Sequence, residues 1–153
     1  MQIVELREVT AQQLTDLMGL MKELSERVTM TEETLLHVLK DDNCRLFALM
    51  DEGSVMGCAT LCVFHSPTGR KASVEDVVVS SRCRGRHWGR ALMVRVLEEA
   101  QMFAPIEVQL TSKPKRVAAN ALYQSLGFQR KETNCYVSVR RKPLRYTSKG
   151  GGC

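Results

Sequence analysis

A buried strand that leads into a basic, glycine-containing turn is the part of this sequence best suited to chemistry. It spans 77–92 and reads VVVSSRCRGRHWGRAL. A helix that begins after such a turn has unpaired backbone N–H groups in its first turn, and its dipole favours negative charge there. Gly85 and Gly89 allow the backbone to approach a ligand closely, and positive charge comes from Arg82, Arg84, Arg86 and Arg90. The turn therefore predicts a cradle for an anion such as a pyrophosphate. An ordinary strand-to-helix turn with solvated arginines is the alternative.

A second segment, AANALYQSLGF over 118–128, places two polar side chains on one helix face. Asn120 and Tyr123 are three residues apart and therefore neighbours on a helix surface. A tyrosine of ordinary pKa, ~10, is protonated at neutral pH and can donate a proton. Half-buried packing is the alternative role for Tyr123.

The periodicity around these segments predicts one α/β domain over 1–146 and a disordered tail over 147–153. We expect a mixed, mostly antiparallel sheet with helices on both faces. Thr10 with Gln13 forms a capping-box pattern, and Thr31 is placed to cap a second helix. The predicted strands are 2–9, 45–50, 55–64, 71–79 and 105–111, with a further strand from Phe128 and a hairpin partner over 134–139. Helices are predicted from Thr10, from Thr31, from the Gly85–Gly89 turn and over 116–126, the last stopped by Gly127.

Composition limits the partners. The net charge of +5 attracts anions without saying which. Only 5% of residues are aromatic and no recognition motif for nucleic acid occurs, so we expect no nucleic-acid partner. The six cysteines form no CxxC pair and have no zinc-ligand spacing, which predicts no metal and fits a reducing cytoplasm. The N-terminus does not resemble a signal peptide, and no apolar run approaches the ~18 residues of a membrane span, so we expect no membrane partner.

The two segments together resemble the GNAT superfamily of N-acetyltransferases. The family's signature R-G-x-G-x-G-x-A-L corresponds to 84–92, RGRHWGRAL, and its second signature A-x-x-L-Y-x-x-x-G-F corresponds to 119–128. The sequence of these segments is most similar to small bacterial-type members, and the 75–85 stretch is also similar to glucosamine-6-phosphate N-acetyltransferases. The resemblance implies the GNAT fold and an acyltransferase that uses acetyl-CoA.

The resemblance also assigns roles to individual residues. The backbone of the 77–79 strand end (Val77, Val78 and Val79) would bond the pantetheine arm. The amides of Arg84, Gly85, Arg86, His87, Trp88, Gly89 and Arg90 would hold the pyrophosphate. Asn120 would contact the cofactor, and Tyr123 would protonate the departing thiolate. Two departures stand out: His87 replaces the middle glycine of the signature, and Arg116 stands where many members have a cofactor-binding Asn.

Direct transfer to an amine needs a base, because an amine attacks only when it is unprotonated. Glu75 is the candidate base; ordering the substrate or bonding the backbone is its alternative role. Regular strand alternation would place Glu75 on the same face as Ser73 and Val77, with Asp76 on the other face. Asp76 and Arg140 are candidate acceptor contacts.

The sequence leaves the acceptor open among a small-molecule amine, a polyamine, a protein amine and glucosamine 6-phosphate. A homodimer is compatible with the family. Two alternatives remain: a non-catalytic acetyl-CoA-binding module, favoured by His87, and a basic nucleic-acid binder, which the arginine-rich turn favours and the low aromatic content disfavours.

Overall fold

The computed structural model describes residues 1–139, which form one five-stranded sheet covered by helices on both faces. The strands are β1 (Gln2–Leu6), β2 (Cys44–Asp51), β3 (Ser54–Ser66), β4 (Gly69–Val79) and β5 (Glu107–Gln109). The helices are α1 (Ala11–Leu24), α2 (Glu32–Lys40), α3 (Trp88–Gln101) and α4 (Val117–Ser125), and a short 3₁₀ turn covers Ser81–Cys83. The predicted α/β fold with a mixed sheet is confirmed. Arg140 and the predicted tail lie outside the described residues.

The sheet has strand order β1-β2-β3-β4-β5, antiparallel except for the parallel pair β4–β5. Tight hairpins connect β2 to β3 and β3 to β4. Glu52 and Gly53, with φ of 46° and 86°, form the first hairpin turn, which suits the twist of the flanking strands.

Two apolar layers cover the two faces of the sheet. On one face, α1 and α2 pack on residues such as Leu46, Ala48 and Cys58. On the other face, α3 and α4 pack on residues such as Phe47 and Leu61. We refer to these as the α1–α2 face and the α3–α4 face.

The predicted helix starts are confirmed in detail. Thr10 caps α1 through a capping box with Gln13, and Thr31 caps α2 through Thr34. Each cap satisfies first-turn amides that the helix itself cannot pair.

The predicted strands after Phe128 are wrong for the described residues, since 128–139 contains no strand. A strand needs a neighbour with a free edge, and β5 has only three residues. Tyr136, Val137 and Val139 are consequently exposed.

Candidate functional site

A β-bulge at Asp76 divides β4 into two parts. Thr60 pairs with Glu75 and Cys58 pairs with Val78, so two residues of β4 stand opposite one residue of β3. Asp76 has φ of 51°, which is unusual for a residue with a side chain. The extra residue reverses the alternation of the strand beyond it.

The bulge changes which side chains share a face. Glu75 lies on the α1–α2 face with Ser73, whose hydroxyl donates to the Glu75 carboxylate. Val77 packs on the α3–α4 face, and Val78 packs on the α1–α2 face. The predicted pairing of Glu75 with Ser73 is confirmed, and its pairing with Val77 is wrong because of the inserted residue.

Beyond the bulge, β4 has a free edge. β5 pairs with β4 only over Lys71, Ala72 and Ser73, leaving 74–79 without a strand neighbour on that side within the described residues. Ser80 donates its N–H to Met56 of β3 at 2.8 Å, so Val79, one residue earlier, directs its backbone away from β3. We call the side of 74–79 that faces away from β3 the open edge. Val77 and Val79 direct their N–H and C=O groups to it, whereas Val78 faces β3.

The open edge leads into the start of α3, where backbone amides are free. The His87 carbonyl accepts the first helical bond, from the Ala91 N–H at 3.1 Å. The amides of Trp88, Gly89 and Arg90 therefore have no acceptor within the helix. Gly85 has φ of 76°, and a Cβ atom there would meet nothing within 4 Å. Free amides beside open space suit an anion.

His87 fills the glycine place of the signature by adopting the left-handed conformation itself. Its φ is 61° and ψ is 10°, and its side chain makes no cap hydrogen bond. Histidine tolerates this region better than most residues. The replacement therefore preserves the turn and its amides.

Two of the arginine side chains of the turn make contacts within the protein. Arg84 donates from Nε to Val79 O at 3.4 Å and lies 3.7 Å from the Glu23 carboxylate. Arg90 donates to the Ser125 hydroxyl at 2.8 Å, joining α3 to α4. Arg86 is exposed.

Tyr123 lies in α4 on the α3–α4 face, in the apolar cluster against which Val77 and Val79 also pack. The residue is 9% exposed, and its ring meets Phe128 edge-on at 6.1 Å. Burial raises the pKa of Tyr123, and the positive charge of Arg116 opposes that rise. The hydroxyl makes no hydrogen bond to another described residue, so it is a protonated donor without an internal acceptor.

Asn120 shares the helix with Tyr123, and its amide nitrogen is used inside the protein. It donates to the carbonyl oxygens of Lys113 at 3.1 Å and Pro114 at 3.4 Å. These bonds hold the loop before α4. Ser112, in the same loop, has a buried hydroxyl without a partner among the described residues.

Both carboxylates at the bulge reach solvent. Partial desolvation of its carboxyl group, reinforced by the charge of Glu75, raises the pKa of Asp76. Glu75 is bonded to Ser73. Tyr123 packs on the opposite face of the sheet, so a reacting centre at the open edge would have Glu75 on one side and Tyr123 on the other.

Cysteine chemistry is disfavoured at this site. Burial raises the pKa of Cys58 and of Cys62 to about 12 in each case. Cys83, next to the turn, is 4% exposed and packs in the core. Within 1–139, no cluster of three or more histidine, cysteine or acidic side chains could hold a metal ion, and no helix is long and apolar enough to cross a membrane.

Sequence reasoning missed two residues that shape this site. Gly57 of β3 is in close contact with β4, since a Cβ there would lie 2.9 Å from Val78 O. A lone glycine in a strand pattern is a signal for such an approach. Glu23 contacts the turn after β4 from the end of α1, and no sequence pattern marks that contact.

The family profile described as "Acetyltransferase (GNAT) family" matches residues 11–128, which include every element from α1 to α4. The chain belongs to the GNAT acetyltransferase family. Members of this family transfer acetyl groups, generally from acetyl-CoA, to amine acceptors.

Solved acetyltransferase structures share the fold of this GNAT family member at low sequence identity. A Trypanosoma brucei acetyltransferase has a TM-score of 0.71 at 21% identity, over 90% of this chain and 99% of that chain. An aminoglycoside acetyltransferase from an uncultured soil metagenomic sample has a TM-score of 0.77 at 17% identity, over 91% and 96% of the two chains. Glucosamine-6-phosphate N-acetyltransferase from Arabidopsis thaliana has a TM-score of 0.71 at 18% identity, over 91% and 98%. No curated protein matches this GNAT chain in sequence.

Proposed function

We propose that this protein is an N-acetyltransferase that moves an acetyl group from acetyl-CoA to a primary amine by direct attack. The observation that carries the proposal is the continuity of the open edge of β4 with the free amides at the start of α3. An extended polar arm fits the first, and a diphosphate fits the second. Tyr123 lies in the apolar cluster against which Val77 and Val79 of the open edge pack.

The residues divide the work of binding acetyl-CoA. The N–H and C=O of Val77 bond the pantetheine arm as an added strand would, and the N–H of Val79 serves the thioester end of that arm. Amides from Arg84 to Arg90 receive the diphosphate, and the open space at Gly85 allows the close approach. Asn120 holds the loop before α4 through its amide nitrogen, and its side-chain oxygen is the group proposed to contact the cofactor. Trp88 contributes its backbone amide, because its ring packs beside Leu49 and Met56.

Acetyl-CoA, when bound, supplies the acetyl group as a thioester. The Val79 N–H at the open edge donates to the thioester carbonyl oxygen, where negative charge develops. Glu75 accepts a proton from the amine, directly or through water. As the amine nitrogen bonds the acetyl carbon and the C–S bond breaks, Tyr123 would donate its hydroxyl proton to the departing sulfur from the α3–α4 face. Solvent would then return a proton to Tyr123 and take one from Glu75. Proton removal and proton delivery thus come from opposite faces of β4. No covalent acyl-enzyme is formed, in keeping with the raised thiol pKa values.

Asp76 is proposed to contact the acceptor, since it lies beside Glu75 at the bulge. The acceptor class stays open, and Arg140, the other proposed contact, lies outside the described residues. Glucosamine 6-phosphate belongs in any screen because of the resemblance of 75–85 to enzymes that acetylate it.

The experiment is an acetyl-transfer screen in which release of the free CoA thiol and a mass increase of one acetyl group are both scored. The panel contains polyamines, aminoglycosides, glucosamine 6-phosphate and peptides with free N-termini or lysines. Tyr123→Phe and Glu75→Gln are run beside the wild type. Transfer that needs Tyr123 supports the proposal. Tight acetyl-CoA binding with no transfer to any amine supports the non-catalytic alternative.

We also propose a homodimer that forms through the segment 131–139, whose exposed apolar side chains are Tyr136, Val137 and Val139. Tyr136 and Val137 are 87% and 85% exposed, and the Lys131–Glu107 ion pair of 3.3 Å holds the start of the segment to β5. A second copy of this segment is the proposed partner, because each copy would cover the exposed apolar side chains of the other. Light scattering after gel filtration should give twice the chain mass for the wild type and less for Val137→Asp; a monomeric wild type overturns the dimer.

A further inference from the structure

The last turn of α1 contacts the structure on both sides of the proposed acetyl-CoA site. Glu23 reaches the turn that follows the open edge of β4, and the neighbouring Leu24 carbonyl accepts a bond from Arg116 at the start of α4. One turn of helix therefore joins the free amides of the β4–α3 turn to the helix that carries Tyr123. We call this turn and its two contacts the α1 brace.

The Glu23 side of the brace consists of three contacts with one carboxylate. The Ser81 N–H donates to Glu23 at 2.8 Å, and the Ser80 hydroxyl, in a residue that is 2% exposed, donates at 3.3 Å. The Arg84 guanidinium lies 3.7 Å away. The pKa of Glu23 is lowered, chiefly by the bond from the Ser81 backbone. The carboxylate thus fixes the first residues of the turn and draws Arg84 toward α1.

The Arg116 side of the brace is a bond between two helix ends. Arg116 Nη2 donates to Leu24 O at 2.9 Å. That carbonyl is at the C-terminus of α1, where the helix leaves carbonyl groups unpaired and a cation is favourable. Arg116 is the N-cap residue of α4, and Tyr123 lies seven residues later on the same helix, about two turns along. The bond fixes the position of the helix end from which Tyr123 is placed.

We propose that Glu23 and Arg116 are positioning residues for acetyl transfer. They set the distance between the amides that hold the diphosphate and the hydroxyl that protonates the thiolate. The inference rests on the proposed function. It assigns Arg116 a bond to α1 where a cofactor contact is common in the family.

The Glu23 contact is tested by binding. Isothermal titration gives the Kd of acetyl-CoA and of its nucleotide half, 3′-phosphoadenosine 5′-diphosphate, for the wild type, Glu23→Ala and Glu23→Gln. Loss of one hydrogen bond to a charged group should weaken both ligands about tenfold in Glu23→Ala. Gln keeps an acceptor for the Ser81 N–H and should recover most of that loss. Glu26→Ala, three residues on at an exposed position, is the matched control.

The Arg116 contact is tested by turnover. Arg116→Gln should lower kcat about tenfold or more while the Kd of acetyl-CoA stays within about threefold. The kcat of Arg116→Gln should fall at a higher pH than that of the wild type. Tyr123 stays protonated to higher pH in this variant, since the charge that lowers its pKa is gone. Arg116→Lys, which retains the charge, should keep the wild-type profile. Lys115→Gln, the exposed neighbour, is the control.

The outcomes separate the two proposals. A wild type that does not bind acetyl-CoA overturns the proposed function itself. A wild type that binds acetyl-CoA, with Glu23→Ala binding equally well and Arg116→Gln turning over equally fast, overturns only the α1 brace. If Glu23→Ala unfolds, Ser81→Pro takes its place in the binding comparison, because it removes the N–H that donates to Glu23. It is compared with Glu23→Gln, which keeps an acceptor for that N–H.

Discussion

Gly57→Ala should weaken both the fold and acetyl-CoA binding, although Gly57 lies on β3, away from the open edge. An added Cβ would lie 2.9 Å from Val78 O and 3.2 Å from Val79 Cα. Both are backbone atoms, so no side-chain rotation relieves the contact. The end of β4 must move outward by a few tenths of an ångström, and Val79 carries a proposed cofactor contact with it.

The expected magnitude follows from the overlap. Overpacking against a backbone costs ~1–3 kcal/mol of unfolding free energy, which corresponds to a fall in Tm of about 3–9 °C for a chain of this size. A displaced hydrogen-bonding edge should raise the Kd of acetyl-CoA about tenfold, the equivalent of ~1.4 kcal/mol. Urea unfolding and isothermal titration measure the two effects.

Gly19→Ala is the matched control, because it adds the same methyl group where nothing lies within 4 Å. Position 19 is within α1, where alanine is favoured over glycine by roughly 0.8–1.0 kcal/mol. That variant should be at least as stable as the wild type and bind acetyl-CoA equally well. Wild-type stability and affinity in Gly57→Ala would refute the close approach of β3 to the end of β4.

Three further variants test other parts of the site. Tyr123→Phe should lower kcat about a hundredfold or more while leaving the Kd of acetyl-CoA within about twofold, because it removes a proton donor and little else; equal turnover removes Tyr123 from the mechanism. His87→Gly should leave acetyl-CoA binding unchanged or tighter, since glycine adopts a φ of 61° without a Cβ penalty of ~1 kcal/mol; weaker binding would mean that the imidazole itself contacts the ligand. Glu23→Gln should be less stable than the wild type at neutral pH, and the difference in unfolding free energy should shrink as the pH falls below about 4. The contacts that lower the pKa of Glu23 stabilise the fold only while its carboxylate is ionised. A pH-independent difference would contradict the charged contact.

The sequence contains enough to predict the elements that carry the site. The capping residues Thr10 and Thr31, the buried strand before the turn, and the long helix after it all lie where their patterns indicate. These features depend on neighbours within a few positions, which a sequence pattern records directly. Family signatures then supply the order of the two key segments.

The bulge at Asp76 could not be predicted from the sequence. The extra residue in β4 reverses the sheet face on which each later side chain lies, but it leaves no mark in the pattern of apolar residues. Regular alternation places Val77 with Glu75, and the structure separates them. The contacts of Glu23 and Arg116 could not be predicted from local sequence patterns either, since they join positions 58 and 92 residues apart. The strands expected after Phe128 have suitable residues but no long strand edge beside them among the described residues.

The most direct test of the account is thermal unfolding with and without saturating acetyl-CoA, beside NADH and ATP as controls. At about 100 times its Kd a ligand adds ~2.7 kcal/mol to the unfolding free energy, or roughly 5–10 °C for a domain of this size. We predict a shift of this size for acetyl-CoA and little shift for the controls. No shift with acetyl-CoA, or an equal shift with ATP, would contradict the assignment of the open edge and the α3 amides to this cofactor.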